Sequence, residues 1–113
     1  MNLHTNLAIR TAARFDYEGA YDRAATEIAE AIAAGQPIKC ANYTLDHEDF
    51  GEFVATRPEF DCMVSDLAAS KISAIDFSRW IARQVDSFAD HYAPERAQHM
   101  LEDCIDAAEQ ECR

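Results

Sequence analysis

Apolar residues recur along most of this chain at three- and four-residue spacing, the period that turns one side of an α-helix toward a core. Residues 18–34 carry it clearly: Tyr21, Ala25, Ile28 and Ile32 make a stripe that Ala24 and Ala31 widen. Gly35 and Pro37 stop that helix, since glycine accepts a left-handed cap and proline cannot continue the turn. Residues 3–15 read as an earlier helix with Leu3, Leu7, Ala8, Ala12 and Phe15 inward, although the period there is blurred.

Asp46, with Asp49 three positions on, resembles a capping arrangement. It opens a third helix over residues 47–56, with Phe50, Phe53 and Val54 inward. Pro58 ends that helix and serves as the first position of a fourth, over 58–70, where Phe60, Met63, Val64 and Leu67 are apolar. Ser73 and Asp76 mark the start of a helix over 74–92 that buries Phe77, Ile81, Val85, Phe88 and Tyr92, with Trp80 at the edge of the stripe. Pro94 starts a last helix over 94–111, whose Ala97, Leu101, Cys104 and Ala108 are flanked by Met100 and Ile105.

Only residues 36–45 alternate with the two-residue period of an extended chain: Ile38, Cys40, Asn42 and Thr44 against Lys39, Ala41, Tyr43 and Leu45. No partner strand is evident, so this stretch is expected to be a structured loop across the core. The prediction is one all-α domain, compact, of five to six helices whose short connections pair neighbours as hairpins. Phe50, Phe53, Phe60, Phe77, Ile81, Phe88, Leu101 and Ile105 are its expected core.

Composition agrees with that class. The chain has 113 residues, 49% hydrophobic and 27% charged, with three glycines and three prolines, which suits one globular domain with a modest core. No run approaches the roughly 18 apolar residues of a membrane span. The opening "MNLHTNLAIRTAARF" lacks the apolar region of a secretion signal, so a cytoplasmic protein of a bacterial host is expected.

Chemistry is sparse. Cys40, Cys62, Cys104 and Cys112 form no CxxC pair and are expected to be reduced. Cys62 and Cys104 fall on apolar helix faces, where cysteine acts as a small hydrophobe. His99 and Asp103 share a helix face at i,i+4, but a metal needs further ligands. His47, His91 and the isolated His4 form no group with it. No GxSxG elbow, glycine-rich phosphate loop or GxGxxG turn is present. The chain reads as non-enzymatic, with no metal and no cofactor.

Charge changes the picture most. The net charge is −11. Residues 1–45 carry five acids and four bases; residues 46–113 carry sixteen acids and six bases, a balance of −10. Such a surface repels nucleic acid and anionic lipid and favours a basic protein partner; a homodimer stays open. From Asp46 to Asp66 there are seven acids and only Arg57 to offset them. On a helix, Glu48, Asp49 and Glu52 spread over the exposed side, and Glu59, Asp61 and Asp66 add to the region beyond the Pro58 turn. The last helix repeats the pattern: Glu102, Asp106 and Glu109 stand at i, i+4 and i+7, with Asp103 and Glu111 beside them. Charges along one helix face lie about 5–6 Å apart, comparable with phosphate spacing along one nucleic-acid strand. Nine of these carboxylates, Glu48, Asp49, Glu52, Glu59, Asp61, Asp66, Glu102, Asp106 and Glu109, are the candidate partner-binding residues. Acidic helix faces also serve solubility alone; the concentration of charge in the C-terminal three-fifths, against the cost of self-repulsion, points to a partner.

A small, strongly acidic, helix-rich chain without catalytic motifs resembles the inhibitors made by phages and mobile elements, the anti-CRISPR and anti-restriction proteins. The resemblance lies in general character, with no alignable motif, so no functional residue is carried over. It implies a stoichiometric binder that blocks a nucleic-acid-handling complex by occupying a basic surface, either through charge mimicry of DNA or by plugging an interface. Rival classes are an antitoxin- or adaptor-type interaction module, and a small helical enzyme with a dispersed Cys/His/carboxylate site.

Overall fold

One 38-residue helix organises the molecule. The computed structural model describes residues 3–111, with side chains from Asn6 onward; the readings made above on the side chains of Leu3 and His4, and on Cys112, lie outside what is described. In chain order the elements are α1 (Leu3–Arg14), α2 (Tyr17–Ala33), β1 (Ile38–Cys40), β2 (Tyr43–Leu45), α3 (His47–Ala55), α4 (Phe60–Ala68) and α5 (Ala74–Glu111). The fold is all-α apart from one small hairpin.

The helix ends follow local chemistry. Asp16 caps α2 by accepting from the Gly19 amide at 3.0 Å. A side chain at position 19 would press on that carboxylate, so any residue but glycine there would make the capping side chain shift. Asp46 and Asp49 close a full capping box at the start of α3. Ser73 and Asp76 do the same for α5, at 3.0 and 3.3 Å. At the end of α2 the Gly35 amide donates to the Ile32 carbonyl and the Gln36 amide to the Ala31 carbonyl, a Schellman closure with Gly35 at φ 70. The end of α4 uses the same closure with Ser70 at φ 59 in the glycine position.

Three boundaries differ from the sequence reading. Pro94 does not start a helix: it lies inside α5, which runs unbroken from Ala74 to Glu111. A proline at that position deprives the Asp90 carbonyl, four residues earlier, of its helical donor. The Tyr21 hydroxyl of α2 donates to that carbonyl at 3.2 Å, and the Tyr17 hydroxyl donates to the Pro94 carbonyl at 3.4 Å. A neighbouring helix therefore supplies the missing bond. Residues 38–45 are an antiparallel hairpin rather than a loop, with Ile38 opposite Leu45 and Cys40 opposite Tyr43. The partner strand was hidden because it is the second half of the same alternating stretch, folded at Ala41 and Asn42. Pro58 is not the first residue of α4, which begins at Phe60 after a turn closed by the Phe60 amide on the Arg57 carbonyl.

Packing is organised along α5. Ala20 and Ala24 of α2 meet Ala93 and Ala97 of α5, all four completely or almost completely buried. Further along, Ile28 and Ile32 of α2, Cys40 and Leu45 of the hairpin, and Phe88 and Ala89 of α5 form the larger core cluster. Phe88 is fully buried and is the hub: the Phe50, Phe53 and Tyr92 rings lie 5.5, 5.3 and 4.9 Å from it in edge-on or tilted contacts. Trp80, expected at the stripe's edge, is buried, and Phe60 and Phe77 lean on it at 6.4 and 6.1 Å. Of the eight expected core residues only Phe88 is completely enclosed; the other seven are half-buried.

The reason is shape. The chain extends 65 × 21 × 21 Å with a radius of gyration of 18.8 Å, against about 13 Å for a spherical domain of this length. A rod two helices thick leaves most apolar side chains with one open side.

Truncating Phe88 to Ala should cost about 3–5 kcal/mol, a large part of the stability of a typical domain, and Phe77 to Ala clearly less. Denaturant titration of both variants checks the difference. The bond to the Asp90 carbonyl makes a second prediction. Tyr21→Phe should cost about 1 kcal/mol in the native background and nearly nothing alongside Pro94→Ala, where the backbone donor is restored. A double-mutant cycle measures that coupling; additive costs would mean the hydroxyl does not compensate for the proline.

Candidate functional site

The nine candidate carboxylates fall into two groups spread along the rod. α3 seats Phe50 and Phe53 against Phe88, so Glu48 and Glu52, one turn apart on the other side, are exposed. Asp49 is half-buried, and its carboxylate accepts the Asp46 amide at 3.0 Å in the capping box. Asp46 accepts from the Asp49 and Glu48 amides, and these backbone bonds hold its carboxyl below the usual range. The charge around the start of α3 is thus partly helix-capping chemistry. Glu59 and Asp61 are exposed around the first turn of α4, and Asp66 is half-buried. Asp76 is likewise held low by its bonds to Ser73.

α4 does not continue the α3 surface directly. α3 packs at Phe88 and α4 at Trp80, eight residues apart on α5, or about 12 Å along its axis. Glu102, Asp106 and Glu109 lie toward the other end of α5; Asp106 is about 39 Å along the helix from Trp80. Glu102 and Asp106 are exposed and Glu109 is half-buried. Glu102, Asp103 and Asp106 line an open cleft of about 650 Å³ with His99, Lys39, Ala41 and Asn42. There the His99 Nε2 lies 3.5 Å from the Asp103 Oδ2, the pair expected from their spacing.

One residue sets the geometry of that cleft. Arg96 of α5 pairs with Glu27 of α2 at 2.9 Å and donates to the Lys39 carbonyl, tying the hairpin to both helices. Arg57 is similarly engaged: its guanidinium stacks over Phe53 at 4.7 Å and its Nε donates to the buried Gln84 at 3.1 Å. Two of the bases are therefore committed to internal contacts. Among the described residues, none of Glu48, Glu52, Glu59, Asp61, Asp66, Glu102, Asp106 and Glu109 enters an ion pair.

Sequence reasoning missed a third acidic region. Glu30 of α2 and Asp86 and Asp90 of α5 line a groove of about 410 Å³ floored by Ala25, Ala29 and Ala89. They are scattered in sequence, and only the α2–α5 pairing brings them together. Arg96 and Glu27, 69 positions apart, gave no local signal either.

The cysteines exchange roles. Cys62 and Cys104, expected on apolar helix faces, are exposed: α4 has no fully buried residue, and Cys104 lies at the edge of an open pocket it shares with Thr11, Arg14 and Phe15. Cys40 is buried in the main core, and burial raises its thiol pKa. No three His, Cys, Asp or Glu side chains among the described residues form a group that could hold a metal ion. No described helix is long and apolar enough to cross a membrane. No family model, curated protein or solved structure matches the chain.

In the folded protein a thiol reagent should label Cys62 and Cys104 quickly, while Cys40 stays protected until the chain unfolds. Peptide mapping of the labelled protein tests this; fast labelling of Cys40 would contradict its burial.

Proposed function

We propose that the chain is a non-enzymatic inhibitor that occupies a basic surface of a nucleic-acid-handling protein, using its exposed carboxylates as the contact. The observation that carries this reading is the combination of a rod 65 Å long and 21 Å across with a net charge of −11 and exposed acids most of which enter no ion pair among the described residues. In outline, such a body matches the width of a nucleic-acid duplex. A groove built to hold duplex can admit it, and lysine and arginine side chains there would find carboxylates.

Charge density limits how literal the mimicry is. Eleven net charges over 65 Å give one per about 6 Å, against one per about 1.7 Å of duplex. The contact is therefore local: an acidic patch pairs with a basic one while the bulk of the rod blocks the groove. Charge pairs of this kind chiefly set the rate and specificity of encounter. The target class, a bacterial defence complex of the sort met by anti-CRISPR and anti-restriction proteins, rests on the general resemblance of the chain to those inhibitors.

Two double reversals test the faces separately. Glu48→Lys with Glu52→Lys alters the α3 face, and Glu102→Lys with Asp106→Lys alters the cleft at the far end. All four residues are exposed, and none caps a helix, so folding should be retained by circular dichroism. Nuclease-treated bacterial lysate is passed over each immobilised protein and the retained species are identified by mass spectrometry. The native chain should hold a nucleic-acid-binding protein that elutes as salt rises, and at least one reversal should lose it. Equal retention by all three proteins would show the acidic faces to be solvated surface only.

A further inference from the structure

The end of the rod built from α4 and the first turns of α5 is unlike the rest of the molecule. α4 is amphipathic, with Phe60, Met63, Val64 and Leu67 at helical spacing, yet none of its residues is fully buried. Val64 is 42% exposed and Ile75, in the first turn of α5, is 64% exposed. From Ala74 to Arg83 only Trp80 is buried. The hairpin of α4 and α5 is two helices standing without the third layer that α2 supplies further along.

The same segment is electrically neutral. Residues 57–83 hold four acids, Glu59, Asp61, Asp66 and Asp76, and four bases, Arg57, Lys71, Arg79 and Arg83. Residues 1–56 carry −5 and residues 84–113 carry −6. Two copies of a chain with net charge −11 repel wherever acidic regions face each other. Residues 57–83 offer a second copy no net repulsion, and unlike the nearly balanced residues 1–45 they include a helix, α4, with no fully buried residue. The signs are also partly sorted: Asp61 and Asp66 of α4 have no base on that helix, whereas on the α5 part of this segment Arg79 and Arg83 outnumber Asp76.

Area points the same way. The chain exposes 7459 Å², where a folded monomer of its 12.7 kDa mass exposes about 6,200 Å². The rod shape spreads this excess of about 1,200 Å² along the molecule, and it is large enough to include a face of the roughly 800 Å² that each partner contributes to a standard protein–protein interface.

We propose that this end is the interface of a homodimer, in which the α4–α5 hairpins of two copies pack into a four-helix arrangement about a two-fold axis. Each α4 lies across the other copy's α5, so that Asp61 and Asp66 of one chain meet Arg79 and Arg83 of the other. Such an interface is self-complementary, as two-fold symmetry requires, and completes the apolar layer that a lone hairpin lacks. It leaves the α3 face and the far cleft free.

Sedimentation equilibrium reads the state directly. The native protein should show twice its 12.7 kDa chain mass in the micromolar range. Val64→Asp alters an exposed residue, so helix content should be unchanged while the dimer dissociation constant rises about tenfold or more. Arg79→Glu with Arg83→Glu, and Asp61→Lys with Asp66→Lys, should each give monomers, and an equimolar mixture of the two should recover the dimer mass. The Glu48 and Glu52 reversal should leave the dimer intact, which separates this test from that of the inhibitor reading. A native chain that stays monomeric at hundreds of micromolar overturns the proposal, as does a dimer indifferent to Val64→Asp or a charge-swapped pair that fails to associate.

Discussion

Ala20 and Ala24 lie against Ala93 and Ala97, and the remaining structure depends on how closely that contact lets two helices approach. Alanine has no side-chain rotamers to lose and little volume to separate the backbones. The approach brings the Tyr17 and Tyr21 hydroxyls within reach of α5 carbonyls just where Pro94 has removed a helical donor. α5 can therefore run through its proline as a single scaffold. With α2 fixed, Ile28 and Ile32 meet Phe88, and the hairpin and α3 have a surface on which to close.

Acidic residues in this chain serve three different ends. Asp16, Asp46, Asp49 and Asp76 start helices, where backbone amides offer donors that a carboxylate accepts well. Glu27 orders the hairpin through Arg96. Most of the other acids point to water. The crowding of like charge around Phe50 and Phe53 is thus a consequence of amphipathic design on a thin body: the rings go toward Phe88, Val54 is buried, and His47, Glu48, Gly51, Glu52 and Ala55 face solvent. Two bases that could have served the free carboxylates, Arg57 and Arg96, are engaged elsewhere.

Much of the helical framework was legible in the chain because its signals are local. The Ser73–Asp76 and Asp46–Asp49 pairs, the Gly35 stop and the apolar spacing in α2 each act within a turn or two. The continuity of α5 was not legible, because the tolerance of Pro94 depends on a hydroxyl 69 positions away from the carbonyl it satisfies. The hairpin was obscured by its turn, since Ala41 adopts a left-handed φ of 47 without being glycine or asparagine. Burial was overestimated for Leu101, Cys104 and Ile105, since periodicity says which way a side chain points and not whether anything stands opposite. Eight of the nine candidate carboxylates make no capping hydrogen bond or ion pair, although Glu59 stands at the N-cap position of α4; Asp49 does bond in a cap, and its role was already implied by its place three residues after Asp46. Their division between two stations on α5 required the length of that helix to be known.

The uneven clothing of α5 has a consequence for how the molecule opens. Backbone amides in one continuous helix need not exchange with solvent together, because each is released by the smallest unfolding event that exposes it. From Val85 to Ala97 the helix is covered by α2, the hairpin and α3, so release there requires most of the tertiary structure to come apart. Over its first ten residues only α4 leans on it, and a fluctuation that lifts that short helix suffices. Hydrogen exchange along this one element would therefore rise from slow at the centre to fast at its N-terminal end, making α5 a single helix that belongs to two cooperative units.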